Sequence, residues 1–249
     1  MRTVRFSDPA GQPRSGTWTD DGIVTPATTY DPAEVTLLPP VQPTKIVCQA
    51  GGYADHRLES GREEERPDRP ELFLKTPNCV VAPGGAIELP ADRSPIEYEA
   101  EIGVVIDEQC RCVDESAAMS YVAGFTCVND ISNRPDQREE RNWVRGKAFD
   151  ASCPIGPVVA TPDDVPADAT LELRLNGTTE QQSSRDNLLF SIPELIAEIS
   201  SLITLEPGDV VATGTPFGPG ELTAGDTVAV EVEGVGVLEN TVTRAEHAR

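Results

Sequence analysis

Three glutamates alternate with apolar residues in the segment IEYEAEIGVVI, residues 96–106. Side chains of a strand point alternately to its two faces, so Glu97, Glu99 and Glu101 are predicted to share one face. The opposite face would be apolar and would carry Tyr98, Ala100, Ile102, Val104 and Ile106. Carboxylates about 7 Å apart along a strand repel one another unless water solvates them or a cation binds between them. Such a cluster suits Mg²⁺, Mn²⁺ or Ca²⁺, although the pattern alone favours a solvated strand face on an acidic protein.

A further carboxylate, Asp130, follows an apolar run in the segment CVNDISNRPDQ, residues 127–137. A carboxylate at the end of a strand could supply a third ligand to the same ion. Considered by itself, Asp130 is more simply explained as a turn residue. The sequence therefore suggests a metal site here as a hypothesis that needs support from other residues.

One histidine has the surroundings of a general base. His56 and Glu59 lie three residues apart in the segment YADHRLE, so a helical turn would place both on one face. A carboxylate that orients an imidazole produces a base able to activate water. Gly51 and Gly52 precede this segment and could let it move as a lid. A surface histidine on a polar helix is the alternative, and His247, the only other histidine, lies in the C-terminal tail.

Lysine is rare in this chain, which contains only Lys45, Lys75 and Lys147. Lys75 ends the apolar run LFLK, and Lys147 lies in the segment RGKAFDASCPIGP, so neither stands on an obviously solvated face. This placement favours a buried or ligand-facing position. Either lysine could bind a substrate carboxylate as a point charge.

The chain carries a large excess of negative charge, with 20 basic and 42 acidic residues and a formal net charge of −22. Such a surface repels nucleic acid and anionic membranes, so neither is an expected partner. Many acidic residues with few lysines favour adaptation to a salt-rich cytoplasm, where a Debye length of about 3 Å at 1 M salt screens self-repulsion. An ordinary acidic protein is the alternative.

Several other classes of protein receive no support. No stretch approaches the roughly 20 apolar residues that span a bilayer, and residues 1–12 lack the apolar core of a signal peptide, so a cytoplasmic protein is expected. Six cysteines without a CxxC pair, together with only two histidines, argue against a zinc site. The chain has no P-loop and no complete GxGxxG motif, so nucleotide binding is not predicted.

The first 44 residues are predicted to form a small N-terminal appendage, because they are turn-rich and end in the stiff segment LLPPVQPT. The main domain is expected to span residues 45–249. Its short apolar and alternating segments predict many strands and few helices, so the fold class is α+β and strand-rich.

Three local signals place individual elements of this domain. Asn176-Gly177 separates two strand-like segments and predicts a hairpin with a type I′ turn. Ser191 and Glu194 form a capping box, which predicts that a helix follows. A second helix is predicted over about residues 114–122.

An ordered set of segments resembles the fumarylacetoacetate hydrolase family across roughly residues 45–242. These segments are KIVCQAGGYADHRLE, LFLK, IEYEAEIGVVI, YVAGFTCVNDISNR, GKAFDASCPIGP, the NG turn, LEPGDVVATGTPFG and GDTVAVEVEGVG. The likeness is greatest to the smaller members, such as acylpyruvate hydrolases, oxaloacetate decarboxylases and 2-hydroxyhepta-2,4-diene-1,7-dioate isomerases. It implies a mixed β-roll that is usually dimeric.

The resemblance also implies roles for residues of this chain. It implies that Glu99, Glu101 and Asp130 hold Mg²⁺ or Mn²⁺, with Glu97 outside the ligand set. It implies a substrate-binding, metal-adjacent lysine at Lys147, a water-activating lid pair at His56 and Glu59, and a substrate pocket lined by Arg134, Gln137 and Thr215.

Two positions depart from the family pattern. The family usually has asparagine where this chain has Gly52, which predicts a looser lid. The family pattern Arg-Asp-x-Gln is here Arg134-Pro135-Asp136-Gln137, which puts the substrate specificity in question. Neither change touches the predicted metal ligands.

The implied chemistry is a reaction through the enolate of a 2-keto acid, stabilised by the metal and Lys147. We expect hydrolysis of a carbon–carbon bond in an acylpyruvate-like 2,4-diketo acid, because the pair of His56 and Glu59 is intact. Decarboxylation or isomerisation of a related oxo dicarboxylate is the alternative, since neither needs an attacking water. A catalytically silent acidic binding protein is a hypothesis of a different class.

Overall fold

The computed structural model of the protein describes residues 1–59 and 65–246, so His247 lies outside the described residues. Strands dominate, as the sequence predicts. The strands are β1 (Arg2–Ser7), β2 (Pro13–Thr19), β3 (Gly22–Val24), β4 (Thr29–Tyr30), β5 (Thr36–Leu37), β6 (Ile46–Ala50), β7 (Glu71–Lys75), β8 (Val80–Val81), β9 (Ala86–Leu89), β10 (Ile96–Tyr98), β11 (Ala100–Ile106), β12 (Val122–Asn129), β13 (Ser132–Asn133), β14 (Cys153–Ala160), β15 (Thr170–Leu175), β16 (Thr178–Ser184), β17 (Val210–Ala212), β18 (Gly220–Glu221), β19 (Thr227–Val232) and β20 (Gly236–Arg244). The α-helices are α1 (Ala54–Glu59), α2 (Arg134–Glu139), α3 (Val144–Lys147) and α4 (Ile192–Leu202). Short 3₁₀ segments span Pro32–Glu34, Pro77–Cys79, Glu115–Tyr121, Pro162–Asp164 and Arg185–Asn187.

The strands of the described residues form three sheets, and two of these are mixed. The largest runs in the order β4-β3-β2-β1-β14-β12-β11-β17-β6-β7, with β5 beside β1 and β8 beside β14. Within it β17 is parallel to β6 and β8 is parallel to β14, while the other pairs are antiparallel. A second sheet has the order β16-β15-β19-β20-β9, and a short third sheet has the order β13-β10-β18. The mixed, strand-rich architecture confirms the predicted fold class.

The N-terminal residues are joined to the rest of the protein by a strand pair. β1 lies antiparallel to β14, with Arg2 opposite Ala160 and Thr3 opposite Val159. Val4 and Phe6 are fully buried in the main core. The division at residue 44 stays a prediction, and the structure shows that the largest sheet continues across it.

A buried aspartate fixes the end of the Pro-rich segment. Asp209 Oδ1 accepts hydrogen bonds from the backbone N–H groups of Thr44 (2.8 Å) and Lys45 (3.1 Å), and Asp209 Oδ2 accepts one from Glu206 N–H (2.8 Å). The Lys45 ammonium forms an ion pair with the same carboxylate. Burial alone would raise the pKa of Asp209, but Lys45 and the backbone donors lower it below its usual value. This carboxylate therefore anchors the chain where β6 begins.

We expect Asp209→Asn to lower the free energy of unfolding by about 2 kcal/mol at neutral pH, the value of hydrogen bonds to a charged group. A depressed folded-state pKa gives stability that is present above the unfolded pKa and lost as pH falls through the folded value. The difference between the two proteins should therefore narrow below about pH 4. Urea unfolding of both proteins at several pH values measures it, and a difference independent of pH would contradict the ionic role of Asp209.

Two local predictions are confirmed, and one helix differs from expectation. Asn176 and Gly177 have φ of 51° and 83° and join β15 to β16, as a type I′ turn requires. The Ser191 side chain caps α4, and the Glu194 carboxylate accepts the Ser191 N–H at 2.8 Å. The predicted helix over residues 114–122 is instead a 3₁₀ segment over Glu115–Tyr121, and β12, which pairs with β11, begins directly after it.

Most of the negative charge lies at the surface. Among the described residues, the buried acidic side chains are Asp8, Glu99, Glu101, Asp130 and Asp209. All six cysteines are unpaired, and five of them are buried. Within the described residues, no helix is long and apolar enough to cross a membrane.

We expect the melting temperature to rise between about 0.1 and 3 M KCl, because the Debye length falls from about 10 Å to below 3 Å and screens the repulsion among surface acids. Thermal melts at constant pH over this range measure the effect. A melting temperature that stays flat or falls would contradict adaptation to salt and would leave the site described below unaffected.

Candidate active site

A break between two strands positions the site. β10 ends at Tyr98 and β11 begins at Ala100, so the single strand expected over residues 96–106 is two strands in different sheets. The Asn129 side chain accepts the backbone N–H of Glu99 at 3.0 Å. The Gln181 side chain accepts the N–H of the next residue, Ala100, at 2.9 Å. Two buried amides therefore satisfy the backbone donors that the break leaves unpaired.

Three buried carboxylates converge beside this break. Glu99, Glu101 and Asp130, the carboxylate trio, each offer an oxygen, and these atoms all lie within 4.8 Å of one another. Asp130 follows β12, and its N–H donates to the Glu99 carbonyl at 2.8 Å. Glu97 lies outside the trio and forms an ion pair with Arg134 at 2.6 Å.

Two lysines form ion pairs with Asp130, one with each carboxylate oxygen. Lys147 Nζ donates to Asp130 Oδ2 at 2.6 Å, to Glu99 Oε2 at 2.7 Å and to Ser132 Oγ at 2.7 Å. Lys75 Nζ donates to Asp130 Oδ1 at 2.6 Å and is fully buried. Lys75 is not among the described residues that line the cavity and lies beneath Asp130, so a direct role in substrate binding stays a prediction.

Glu101 is the member of the trio whose charge its neighbours compensate least, because the ion pairs of Lys75, Lys147 and Arg134 go to Asp130 and Glu99. Burial raises the pKa of Glu101 well above its usual range, and repulsion from Asp130 and Glu99 raises it further. Lys147 and the N–H of Gly214, which donates to Glu101 Oε2 at 2.8 Å, only partly oppose this rise. Three carboxylate oxygens held this close, one of them from a residue without an ion pair among the described residues, fit a hard divalent ion such as Mg²⁺ or Mn²⁺.

The trio opens into a cavity of 470 Å³. The lining residues to which the sequence assigned a catalytic, metal-binding or substrate-binding role are His56, Glu99, Glu101, Asp130, Arg134, Gln137, Lys147 and Thr215. The other lining residues are Gln49, Ala50, Gly51, Phe73, Glu97, Arg138, Trp143 and Pro219. The volume lies in the range of small-molecule sites and leaves room for a group beyond a pyruvate unit.

Helix α1 places His56 at the edge of the trio. The residue is 9% exposed, and Nε2 lies 4.0 Å from Glu99 Oε1. The backbone N–H of His56 donates to Asp55 Oδ1 at 2.7 Å. Glu59 is the last residue of α1, and its side chain lies outside the described part of the structure, so the pairing of Glu59 with His56 stays a prediction.

The proline at the start of α2 is compatible with the helix. Asn133 is the N-cap, and its side chain accepts the N–H of Asp136. Pro135 falls in the first helical turn, where its missing N–H costs no intrahelical hydrogen bond. This departure from the family pattern therefore leaves Arg134 and Gln137 on the cavity wall.

Arg134 binds three neighbours. Nε donates to Glu97 Oε2 at 2.6 Å, Nη1 donates to Gln137 Oε1 at 2.8 Å, and Nη2 forms an ion pair with Glu99. Burial alone would raise the pKa of Glu99, but the nearby cations, of which Arg134 contributes most, hold it well below its usual range. Glu99 is therefore expected to be ionised while it pairs with Arg134 and Lys147.

An aromatic pair that the sequence reasoning missed forms part of the wall. The rings of Phe73 and Trp143 are 5.5 Å apart in an edge-to-face arrangement, and Lys147 Nζ lies 4.9 Å from the Phe73 ring centre. The two-residue period of LFLK could have identified Phe73, because it shares a strand face with Lys75. Nothing in the sequence singles out Gln49 or Arg138.

Two glycines allow the backbone before α1 to approach the loop whose Gly214 N–H binds Glu101. A Cβ atom on Gly52 would overlap the carbonyl oxygen of Thr213, and one on Gly214 would lie 2.7 Å from the nitrogen of Gly52. Gly214 has a φ of +90°, which favours glycine. Leu189 N–H donates to the Gly52 carbonyl at 2.9 Å. Gly52 thus makes a close backbone contact at the position where a looser lid was expected.

Comparison with known proteins gives consistent matches. The family model for fumarylacetoacetate (FAA) hydrolase C-terminal matches residues 45–243. The oxaloacetate tautomerase YisK of Bacillus subtilis is 36% identical over 225 residues, which cover 86% of this chain and 75% of that protein.

Two solved structures resemble the fold over most or all of the chain. The structure of a 5-carboxymethyl-2-hydroxymuconate delta-isomerase from Mycobacterium smegmatis superposes with a TM-score of 0.90 at 35% identity, and the match covers 99% of this chain and 100% of that one. A fumarylpyruvate hydrolase from Pseudomonas aeruginosa, solved in complex with Mn²⁺ and pyruvate, has a TM-score of 0.75 and 32% identity over 81% of this chain and 90% of that one.

Proposed function

Because the chain belongs to the fumarylacetoacetate hydrolase family, we propose that it is a divalent-metal-dependent enzyme that hydrolyses a carbon–carbon bond in an acylpyruvate-like 2,4-diketo acid. The observation that carries this proposal is the buried carboxylate trio, with Lys147 bonded to two of its members. A site of this kind concentrates fixed charges where negative charge develops on a keto acid. The Pseudomonas hydrolase with Mn²⁺ and pyruvate supports the same substrate class.

The trio of Glu99, Glu101 and Asp130 would hold Mg²⁺ or Mn²⁺, and Ca²⁺ uses the same type of oxygen donor. The raised pKa of Glu101, caused by burial and by repulsion within the trio, indicates that a cation would relieve the excess charge. When bound, the ion would supply Lewis-acid stabilisation of negative charge on the substrate.

The other side chains would bind the substrate and transfer protons. Arg134 and Thr215 line the cavity and offer donors to a carboxylate. Lys147 holds a buried positive charge, which stabilises an anion more strongly than it would in water. His56 would take a proton from water as the water oxygen bonds to the distal carbonyl carbon. The bond between C3 and C4 then breaks, its electron pair stays on C3 as the pyruvate enolate, and protonation at C3 gives pyruvate.

Tautomerisation of oxaloacetate is a second candidate, favoured by the match to a tautomerase. It needs proton transfer between carbon and oxygen but no attacking water, so the same cavity and His56 would suffice. Isomerisation or decarboxylation of a related oxo dicarboxylate uses the same enolate. The reactions differ in whether water must be delivered to a carbonyl carbon.

A direct assay tests this assignment. The purified protein with Mg²⁺ or Mn²⁺ is given acetylpyruvate, fumarylpyruvate and oxaloacetate, and pyruvate release and the ultraviolet absorbance of the enol forms are followed. Metal-dependent release of pyruvate from a diketo acid is the expected result. Accelerated keto–enol exchange of oxaloacetate without hydrolysis would favour the second candidate. Absence of metal binding and of all three activities would favour an acidic binding protein.

We further propose that the protein is a cytoplasmic homodimer that binds a small keto acid. The dimer follows from the family resemblance, and light scattering of the purified protein tests it. A monomer over the working concentration range would contradict it without affecting the chemistry at the trio.

A further inference from the structure

Strand β16 consists of polar residues, and only one of them, a glutamine, is buried. Gln181 is 1% exposed, while the other residues of β16 are half-buried or exposed, including its neighbour Gln182. Burying an amide costs free energy unless its donors and acceptor are bonded. The position of Gln181 therefore requires specific partners inside the protein.

Gln181 has three such partners. Oε1 accepts the N–H of Ala100 at 2.9 Å, and Nε2 donates to Thr215 Oγ1 at 2.9 Å and to the Pro216 carbonyl at 3.0 Å. The two Nε2 bonds and the Oε1 bond fix the orientation of the amide, because a flipped amide would place an oxygen against the Pro216 carbonyl. The amide therefore spans from Ala100, which directly follows the strand break at Glu99, to the loop that contains Thr215.

The hydrogen bond from Gln181 determines whether the Thr215 hydroxyl is a donor or an acceptor toward the cavity. A hydroxyl has one hydrogen to donate, and Oγ1 already accepts from Gln181 Nε2. Thr215 lines the cavity and is 2% exposed. In the part of the chain that the structure describes, no acceptor takes its hydrogen, so the hydroxyl is left as a donor for a bound molecule.

We propose that Gln181 is a positioning residue that presents the Thr215 hydroxyl as a hydrogen-bond donor to the carboxylate of a 2-keto acid. This role rests on the proposed function, because it assumes that the cavity binds such an acid. An ionised carboxylate only accepts hydrogen bonds, so it matches a hydroxyl that is held as a donor. Gln181 thereby couples the substrate donor to the backbone from which two carboxylates of the trio extend.

The sharpest variant is Gln181→Glu, which keeps the side-chain shape and can still accept the N–H of Ala100. In its ionised form the second oxygen has no hydrogen to donate to Thr215 and would accept the hydroxyl hydrogen instead, which removes the donor from the cavity. We expect the Kd of pyruvate at saturating Mn²⁺, measured by proton relaxation, to rise by about 10- to 100-fold, as for loss of a hydrogen bond to a charged group. The Kd of Mn²⁺ alone should stay close to that of the original chain.

Two controls separate this role from added charge or altered folding. Gln182→Glu adds the same charge at the exposed neighbouring position and should leave pyruvate binding unchanged. In the Thr215→Val background, Gln181→Glu should weaken pyruvate binding far less than in the original chain, because the hydroxyl is already gone. Thermal melts check that each variant is folded.

Equal weakening in both backgrounds, or an unchanged Kd of pyruvate for Gln181→Glu, would overturn the positioning role. If Gln181→Glu does not fold, Thr215→Val alone decides, since pyruvate affinity equal to that of the original chain would show that the hydroxyl donates nothing. An original chain that binds neither Mn²⁺ nor pyruvate would instead contradict the proposed function, and this role with it.

Discussion

Replacing Asp130 with asparagine is expected to weaken Mn²⁺ binding by more than about 100-fold, because loss of a residue that merely supports a metal ligand already costs 10- to 100-fold. The structure adds a second effect, since Asp130 pairs with both Lys75 and Lys147. Removing one partner of a buried ion pair costs about 3–5 kcal/mol. Asp130→Asn should therefore also lower the free energy of unfolding. Isothermal calorimetry with Mn²⁺ and chemical unfolding measure the two effects.

Glu101→Gln separates metal binding from stability. Glu101 has no ion-pair partner within the described residues, and its raised pKa, caused first by burial, shows that its charge is poorly accommodated. The neutral amide can still accept the Gly214 N–H, so this variant should lose Mn²⁺ affinity while the metal-free protein stays as stable as the original chain. Glu97→Gln is the matched control, because Glu97 lines the cavity outside the trio and should leave Mn²⁺ affinity nearly unchanged. Unchanged Mn²⁺ affinity in Asp130→Asn and Glu101→Gln would remove the metal site from this cavity.

Replacing His56 with alanine should reduce hydrolysis of a diketo acid by about 10²- to 10⁴-fold, the usual contribution of a positioned general base. Its Nε2 lies 4.0 Å from Glu99 Oε1, close enough to serve a water beside the trio. The Kd of Mn²⁺ should change little, because His56 is not one of the three carboxylate ligands. Hydrolysis rates at saturating Mg²⁺ measure the loss of activity. Mn²⁺ titrations of the same purified variant measure the Kd of the metal.

The same variant distinguishes the rival reactions. Decarboxylation of oxaloacetate needs no attacking water, so His56→Ala should reduce it much less than hydrolysis. Leu58→Ala is the matched control, since Leu58 lies on the same helix, is 53% exposed and does not line the cavity. Equal losses in both reactions would assign His56 to a shared step such as proton transfer to the enolate. Undiminished hydrolysis would eliminate it as the base and would make the tautomerase or decarboxylase assignment the better one.

Local signals in the sequence predicted local structure well. The Asn176-Gly177 turn and the Ser191 capping box depend on neighbouring residues only, and both are confirmed. The single strand expected over residues 96–106 was wrong at one residue, because the break at Glu99 depends on amides from β12 and β16. Alternation along a chain cannot show which distant side chains will interrupt it.

The composition of the site was harder to predict than its location. Lys75 was expected to be buried or ligand-facing, and the structure places it under Asp130, a partner 55 residues away. Gln181 and Gln182 are identical in type and adjacent in sequence, yet only the first is buried. Which face of β16 meets the break is decided by packing between sheets, and that information is not present in a strand of polar residues.

Because Gly52 packs closely on Gly214, each of these two positions affects both the proposed metal site and the segment that carries His56. Gly214 N–H holds a carboxylate of the trio, while Gly52 immediately precedes the segment that carries His56. On the backbone of this protein, a side chain at either glycine would displace both loops, so a single substitution would alter the proposed metal site and the approach of the proposed base together. A substitution that improves one of these two features at Gly52 or Gly214 is therefore expected to disturb the other. Exposed positions of α1 such as Leu58 do not make this contact between the two loops, so substitutions there are expected to leave the Glu101 loop in place.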